Sequence, residues 1–136
     1  MKQNPLTEEE RNILVTYRIQ RAKETLLEAD NLIKDGFYNA TVNRLYYACY
    51  YAVIALLVKN GINAQTHQGV IQMFSLHFIS NNKIDKQHSI FYGKLFNNRI
   101  SGDYDDFVQY NNEMVAILRP QAEEFIAVIE KELKIH

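Results

Sequence analysis

Hydrophobic side chains run without interruption from Leu45 to Val58, a stretch with no charged or strongly polar residue, bracketed by Arg44 and Lys59. A helix that is apolar on every side must be enclosed by neighbours. The stretch therefore predicts a core helix that begins near Tyr38 and stops at Asn60-Gly61, a C-terminal glycine signal. It is short for a bilayer span, and its four tyrosines at 46, 47, 50 and 51 suit a protein interior better.

The remaining hydrophobic positions recur on one face at a time. Leu14, Tyr17, Ala22, Leu26, Ala29, Leu32 and Ile33 mark a first amphipathic helix. Thr7 and Glu10 form its capping box, and Asp35-Gly36 ends it. Thr66 is the expected N-cap of a shorter third helix with Val70, Ile71, Phe74 and Phe78 on its buried side, left through the loop 80–83. Asp85 caps a fourth helix with His88, Phe91, Leu95 and Arg99 on one stripe and Tyr92 and Phe96 beside it, ending at Ser101-Gly102.

The last helix uses Phe107, Tyr110, Met114, Leu118, Phe125, Val128, Ile129 and Leu133. Pro120 falls inside it and lacks an amide hydrogen, so a kink or a break is expected near Arg119. No strand-like alternation or internal repeat appears. The pattern predicts an all-α helical bundle of about five helices, one domain over residues 1–136.

Composition narrows the chemistry. A net charge of -1 over 136 residues gives no overall pull toward nucleic acid or acidic membranes, so any such binding has to be local. Cys49 is the only cysteine and lies in the apolar run, which excludes a disulfide framework and a cysteine metal cluster. The N-terminal segment lacks the apolar core of a secretion signal, and the expected location is the cytoplasm, away from membranes.

His67, His77, His88 and His136 fall on different elements at spacings unlike those of compact metal motifs, so no metal or other cofactor is expected. Phosphate loops and nucleophile elbows are absent. The tyrosine pairs 46/50 and 47/51 are spaced to share helix faces, either as packing or as a base-stacking platform. Arg44, at the head of the core helix, needs an anionic partner if buried, and Asp103 and Asp105 are the candidates. Removing Arg44 from a buried pair would cost roughly 3–5 kcal/mol. A second polar concentration, Asn98-Arg99-Ile100-Ser101-Gly102-Asp103-Tyr104-Asp105, offers an arginine able to hold phosphate or to cap the fourth helix.

With these residues in view, the chain resembles the HEPN family, in its branch of small stand-alone prokaryotic proteins. The matching blocks are Asn43 to Ala52, Thr66 to Phe74 and Arg99 to Asp105, supported by Ala22, Ala29 and Tyr38-Asn39-Ala40. The likeness covers roughly Tyr17 to Leu133. It implies an up-and-down bundle that dimerises through its central helices. Such proteins are often encoded beside minimal nucleotidyltransferases, and many are ribonuclease toxins neutralised by that partner. In the ribonuclease branches an arginine is followed four to six residues later by a histidine. Here Arg99 matches the arginine, but positions 103 to 105 are Asp, Tyr and Asp.

The missing histidine shapes the functional expectation. Tyrosine titrates near about 10 and is a poor acid or base at neutral pH. The first reading is a homodimeric binding module for nucleotide, RNA or a partner nucleotidyltransferase, with Arg44, Asn98, Arg99, Asp103 and Asp105 as ligand-binding residues. The alternatives are a metal-independent ribonuclease of a toxin-antitoxin pair, with Arg99, His67 and Tyr104 as candidate catalytic groups, and a structural dimeric adaptor.

Overall fold

The computed structural model describes residues 5–135, and within them every regular element is helical. They are α1 (Glu8–Asp35), α2 (Tyr38–Lys59), α3 (His67–Phe74) with a π-helical turn Ser75–Ile79, α4 (Lys86–Tyr104) and α5 (Asn112–Ile135). Local signals set most boundaries. Thr7 Oγ1 accepts from the Glu10 amide at 3.1 Å while the Thr7 amide donates to Glu10 Oε1 at 2.9 Å. Gly36 takes φ 79° after α1, a left-handed conformation that glycine adopts without strain. Thr66 and Asp85 cap α3 and α4 as expected.

α2 is the hub. It packs on α1, α3, α4 and α5 and contributes eleven buried residues, Tyr46 among them at 0% exposure. By length and composition it is, among the described residues, the one helix able to cross a membrane, but 61% of its most apolar window is buried inside the fold. Phe74, Phe78, Tyr92 and Phe125 close the core on the opposite side, with the Tyr92 and Phe125 rings stacked 5.4 Å apart. Each such burial is worth roughly 1.5–3 kcal/mol. The π-helical turn, closed by Ser80 N donating to Ser75 O at 2.9 Å, keeps Phe78 on the buried stripe begun by Val70 and Phe74.

Three expectations need correction, and a fourth, the kink or break near Pro120, is narrowed because α5 is not broken there. Tyr17 is 62% exposed because it precedes the buried Ala22 by five residues, a rotation of about 140° that carries it off the core stripe. α4 runs on to Tyr104 because Gly102 serves a close approach instead of a stop: a Cβ there would lie 3.0 Å from Tyr110 Cε2. α5 starts at Asn112, after Asn111 Oδ1 has accepted from the Met114 amide at 2.9 Å, which leaves Phe107 96% exposed in the preceding loop. The break at Pro120 is absent; the ring suits helical φ and removes only one backbone bond while the flanking Leu118 and Ala122 stay buried.

Two ion pairs fasten α1 to α5. Arg119 grips Asp30 with the Nε and Nη2 edge of its guanidinium, at 2.6 and 3.0 Å, and Lys23 meets Glu130 at 3.0 Å.

Candidate functional site

Four of the tyrosines of α2, at 46, 47, 50 and 51, carry cationic or titratable groups drawn from four helices. Arg21 of α1 lies 5.3 Å from the Tyr51 ring centre, Arg44 of α2 lies 5.1 Å from Tyr47, and Arg99 of α4 lies 5.1 Å from Tyr46 and 5.7 Å from Tyr47. His67, the first residue of α3, lies tilted against Tyr50 at 4.6 Å and stands 5.6 Å from Tyr46. Tyr46 is fully buried and Tyr47, Tyr50 and Tyr51 are half-buried, so the outer rings reach the surface between the arginines. The attraction of each guanidinium for a ring face holds it flat against α2.

Arg99 and His67, far apart in sequence, thus converge on one ring. The Tyr46 hydroxyl lies 2.7 Å from His67 Nδ1. Burial pushes Tyr46 up to about 12, so the hydroxyl keeps its proton, while burial and the Arg99 charge lower His67 and keep it neutral. We assign the hydroxyl as donor to Nδ1, which puts the ring proton on Nε2. Arg99 is only 11% exposed; its Nη1 is 3.7 Å from Asp103 Oδ2, a loose pair, and its buried Nε makes no hydrogen bond.

Arg44 does not pair with Asp103 or Asp105. Its Nη1 is 3.4 Å from Glu28 Oε1 on α1, and its Nε and Nη2 donate to Asn43 Oδ1 at 3.1 and 2.9 Å. Asn43 in turn donates to Asp103 Oδ2 at 2.9 Å. The side-chain amide therefore stands between the two charges, and Arg44 keeps 28% of its side chain exposed. Asp105 points elsewhere, accepting from the Phe107 amide at 2.9 Å. Tyr104 is 77% exposed, and none of its contacts joins it to the tyrosine cluster. Asn98 enters through its backbone carbonyl, which accepts from the Tyr110 hydroxyl at 2.8 Å.

Two asparagines of α2 do work that their residue type did not advertise. Asn43 links Arg44 to Asp103 as described. Asn39 donates to the Gly102 and Val108 carbonyls at 3.2 and 3.0 Å and accepts from the Tyr110 amide at 2.8 Å, fastening the α4–α5 loop to the start of α2. The signal for both was their place in the first turns of the core helix, one turn apart.

Chemically, the face offers guanidinium donors and exposed ring surface, the combination that holds phosphates and stacked bases. The neutral imidazole beside Arg99 adds a group able to move a proton. Among the described residues no three His, Cys, Asp or Glu side chains converge as a metal site.

Comparison with known proteins agrees with this architecture. The HEPN domain profile matches residues 15–133. A UPF0332 protein of Thermotoga maritima is 36% identical over 122 residues, covering 90% of this chain and 92% of its own. Two Methanocaldococcus jannaschii proteins, named Putative toxin MJ0142 and Putative toxin MJ0605, are 32% and 34% identical, each match covering 85% of this chain and 78% and 86% of theirs. With the match spanning nearly all of the bundle built around α2, the chain belongs to the HEPN domain family.

Proposed function

We propose that this protein is an RNA-binding HEPN module that works as a homodimer, with the arginine and tyrosine face of α2 as its ligand surface. The observation that carries this reading is Arg99: it lies against the Tyr46 and Tyr47 rings with one loose carboxylate at 3.7 Å, and Arg44, 28% exposed, lies over the same Tyr47 ring. An RNA phosphate supplies an acceptor for the exposed part of these two guanidinium groups, and the Tyr47 and Tyr51 rings supply surface for bases. The test is titration of labelled single-stranded RNA with the purified full chain. Arg99→Gln should weaken binding at least tenfold; absence of wild-type binding to any RNA tested overturns the proposal. Sedimentation that gives only monomer overturns the dimer.

A second reading, a metal-independent ribonuclease of toxin type, draws support from the meeting of His67 with Arg99 around Tyr46 and from the toxin names of two relatives. Arg99 would hold the scissile phosphate and His67 would replace the histidine that the chain lacks after Arg99. For Nε2 to accept a proton, the ring must take the Nδ1–H tautomer, and the Tyr46 hydroxyl must turn its own proton away so that its oxygen accepts the hydrogen bond from Nδ1–H. Expression that arrests growth, with relief by both Arg99→Ala and His67→Ala, is the expected result. Intact RNA and unimpaired growth remove this reading.

A further inference from the structure

The six arginines divide into two groups. Arg21, Arg44, Arg99 and Arg119 each face a carboxylate, whereas Arg11 and Arg18, two turns apart on α1, have no carboxylate within 4.0 Å among the described residues. Nearby Lys59 is likewise held by a neutral group, Asn12 Oδ1 at 3.2 Å. Arg18 donates through Nη1 to the Ile54 carbonyl at 3.3 Å and uses no other donor. Among the described residues, Arg11 and Arg18 are thus the arginines without a direct ion pair, although Glu8, Glu9 and Glu10 stand in the first turn of α1.

Arg18 lies in a groove of about 140 Å³ with Tyr50, Ile54, Leu57, Val58, Ile62, Asn63 and Ala64 along its walls. That is well below the roughly 300 Å³ of a site for a whole cofactor, and it suits a fragment such as one phosphodiester with its sugar. A second groove, containing Arg11 and Gly61, shares Val58, Ile62 and Asn63 with it. Tyr50 forms the wall toward the candidate site, since its ring also meets that of His67, tilted by 33° at 4.6 Å. Arg18 and Arg99 thus stand on either side of the Tyr50 and His67 rings, anchored on α2 at Ile54 and Tyr46, about 12 Å apart along the helix axis.

We infer that Arg18, with Tyr50 and Asn63, forms a second phosphate subsite for the same single-stranded RNA, so that the strand crosses from Arg99 over the Tyr50 and His67 rings to Arg18 and Arg11 of α1. This rests on the RNA-binding reading above. It assigns a direction to the bound strand and a ligand class, the RNA phosphodiester, to a groove outside the Arg99 cluster. Arg18 supplies charge and a forked donor, Asn63 an amide, and Tyr50 a ring face.

The test uses the full chain and a labelled single-stranded oligoribonucleotide long enough to reach both arginines, titrated over a range of salt concentrations. Arg18→Gln should weaken binding about tenfold and make the slope of log affinity against log salt shallower by about 0.7, the share of one phosphate on a single strand. Arg18→Lys, which keeps the charge, should retain most of the slope. Melting of each variant separates this from a folding defect. If Arg18→Gln lowers the melting temperature but leaves affinity and slope unchanged, Arg18 is only a brace on α2 and the subsite is refuted while RNA binding at Arg99 stands. If wild type binds no RNA, both proposals fall together. Loss of affinity on Arg99→Gln alone, with Arg18→Gln silent, overturns the crossing path and leaves the first proposal intact.

Discussion

The Tyr46 hydroxyl and His67 Nδ1 lie 2.7 Å apart, and around that bond the surroundings keep both groups neutral. Burial first, and then the Arg99 charge, lower the His67 titration below its ordinary 6.5. In NMR titration His67 should have its midpoint below 6.5, and Arg99→Gln should move it upward. The unfolded chain protonates this histidine near 6.5 and the folded chain only at lower pH. Stability from this group is therefore complete above 6.5, falls as pH descends through 6.5, and levels below the folded midpoint. Melting curves between pH 8 and 5 should show that decline, and His67→Gln should reduce it.

Asn39 holds the α4–α5 loop with three hydrogen bonds, to Gly102, Val108 and Tyr110. Asn39→Ala should cost about 2 kcal/mol, the net of bonds worth roughly 1 kcal/mol each with some replaced by water. Hydrogen exchange should quicken at the Tyr110 amide before it quickens in the middle of α2.

Arg44→Ala separates charge from stability. Paired with a half-exposed Glu28 instead of a buried aspartate, Arg44 should contribute no more than about 1 kcal/mol, a fall of about 3 °C in melting temperature. On the RNA-binding proposal the same change should still weaken RNA binding severalfold. A loss of several kcal/mol in stability would restore the buried pair.

The fork between Arg119 and Asp30 joins the two ends of the chain through side chains that are 21% and 42% exposed. Solvent screens such a pair, and a double-mutant cycle of Arg119→Gln with Asp30→Asn should give a coupling of about 1 kcal/mol. A coupling near zero would mean that α1 and α5 are held by their apolar contacts and the Lys23–Glu130 pair.

The helices and their caps were legible because their causes are local: Thr7 with Glu10, Gly36 at positive φ, Thr66 and Asp85 each act within a few residues. The core status of α2 was legible from an apolar run that leaves no face for water. The partner of Arg44 was not, because the choice between Glu28 and Asp103 depends on how α1 is rotated and on an asparagine that intervenes. Gly102 read as a stop because glycine usually serves backbone freedom, whereas here it makes room for the Tyr110 ring. The approach of His67 to Arg99 was invisible in a spacing of residues, since it is set by where α3 and α4 land on the Tyr46 ring. Tyr104, close to Arg99 in sequence, turns out to face water.

Arg99 has a thermodynamic consequence of its own. A guanidinium freely hydrated before it meets an anion must shed that water in the act of binding, and the loss offsets much of the attraction. At Arg99, with its side chain 11% exposed and its Nε already without an acceptor, most of that hydration has been given up when the bundle folds. The burden is carried by the packing of four helices, and an anion that reaches the exposed part of the guanidinium meets a group most of whose dehydration it does not have to drive.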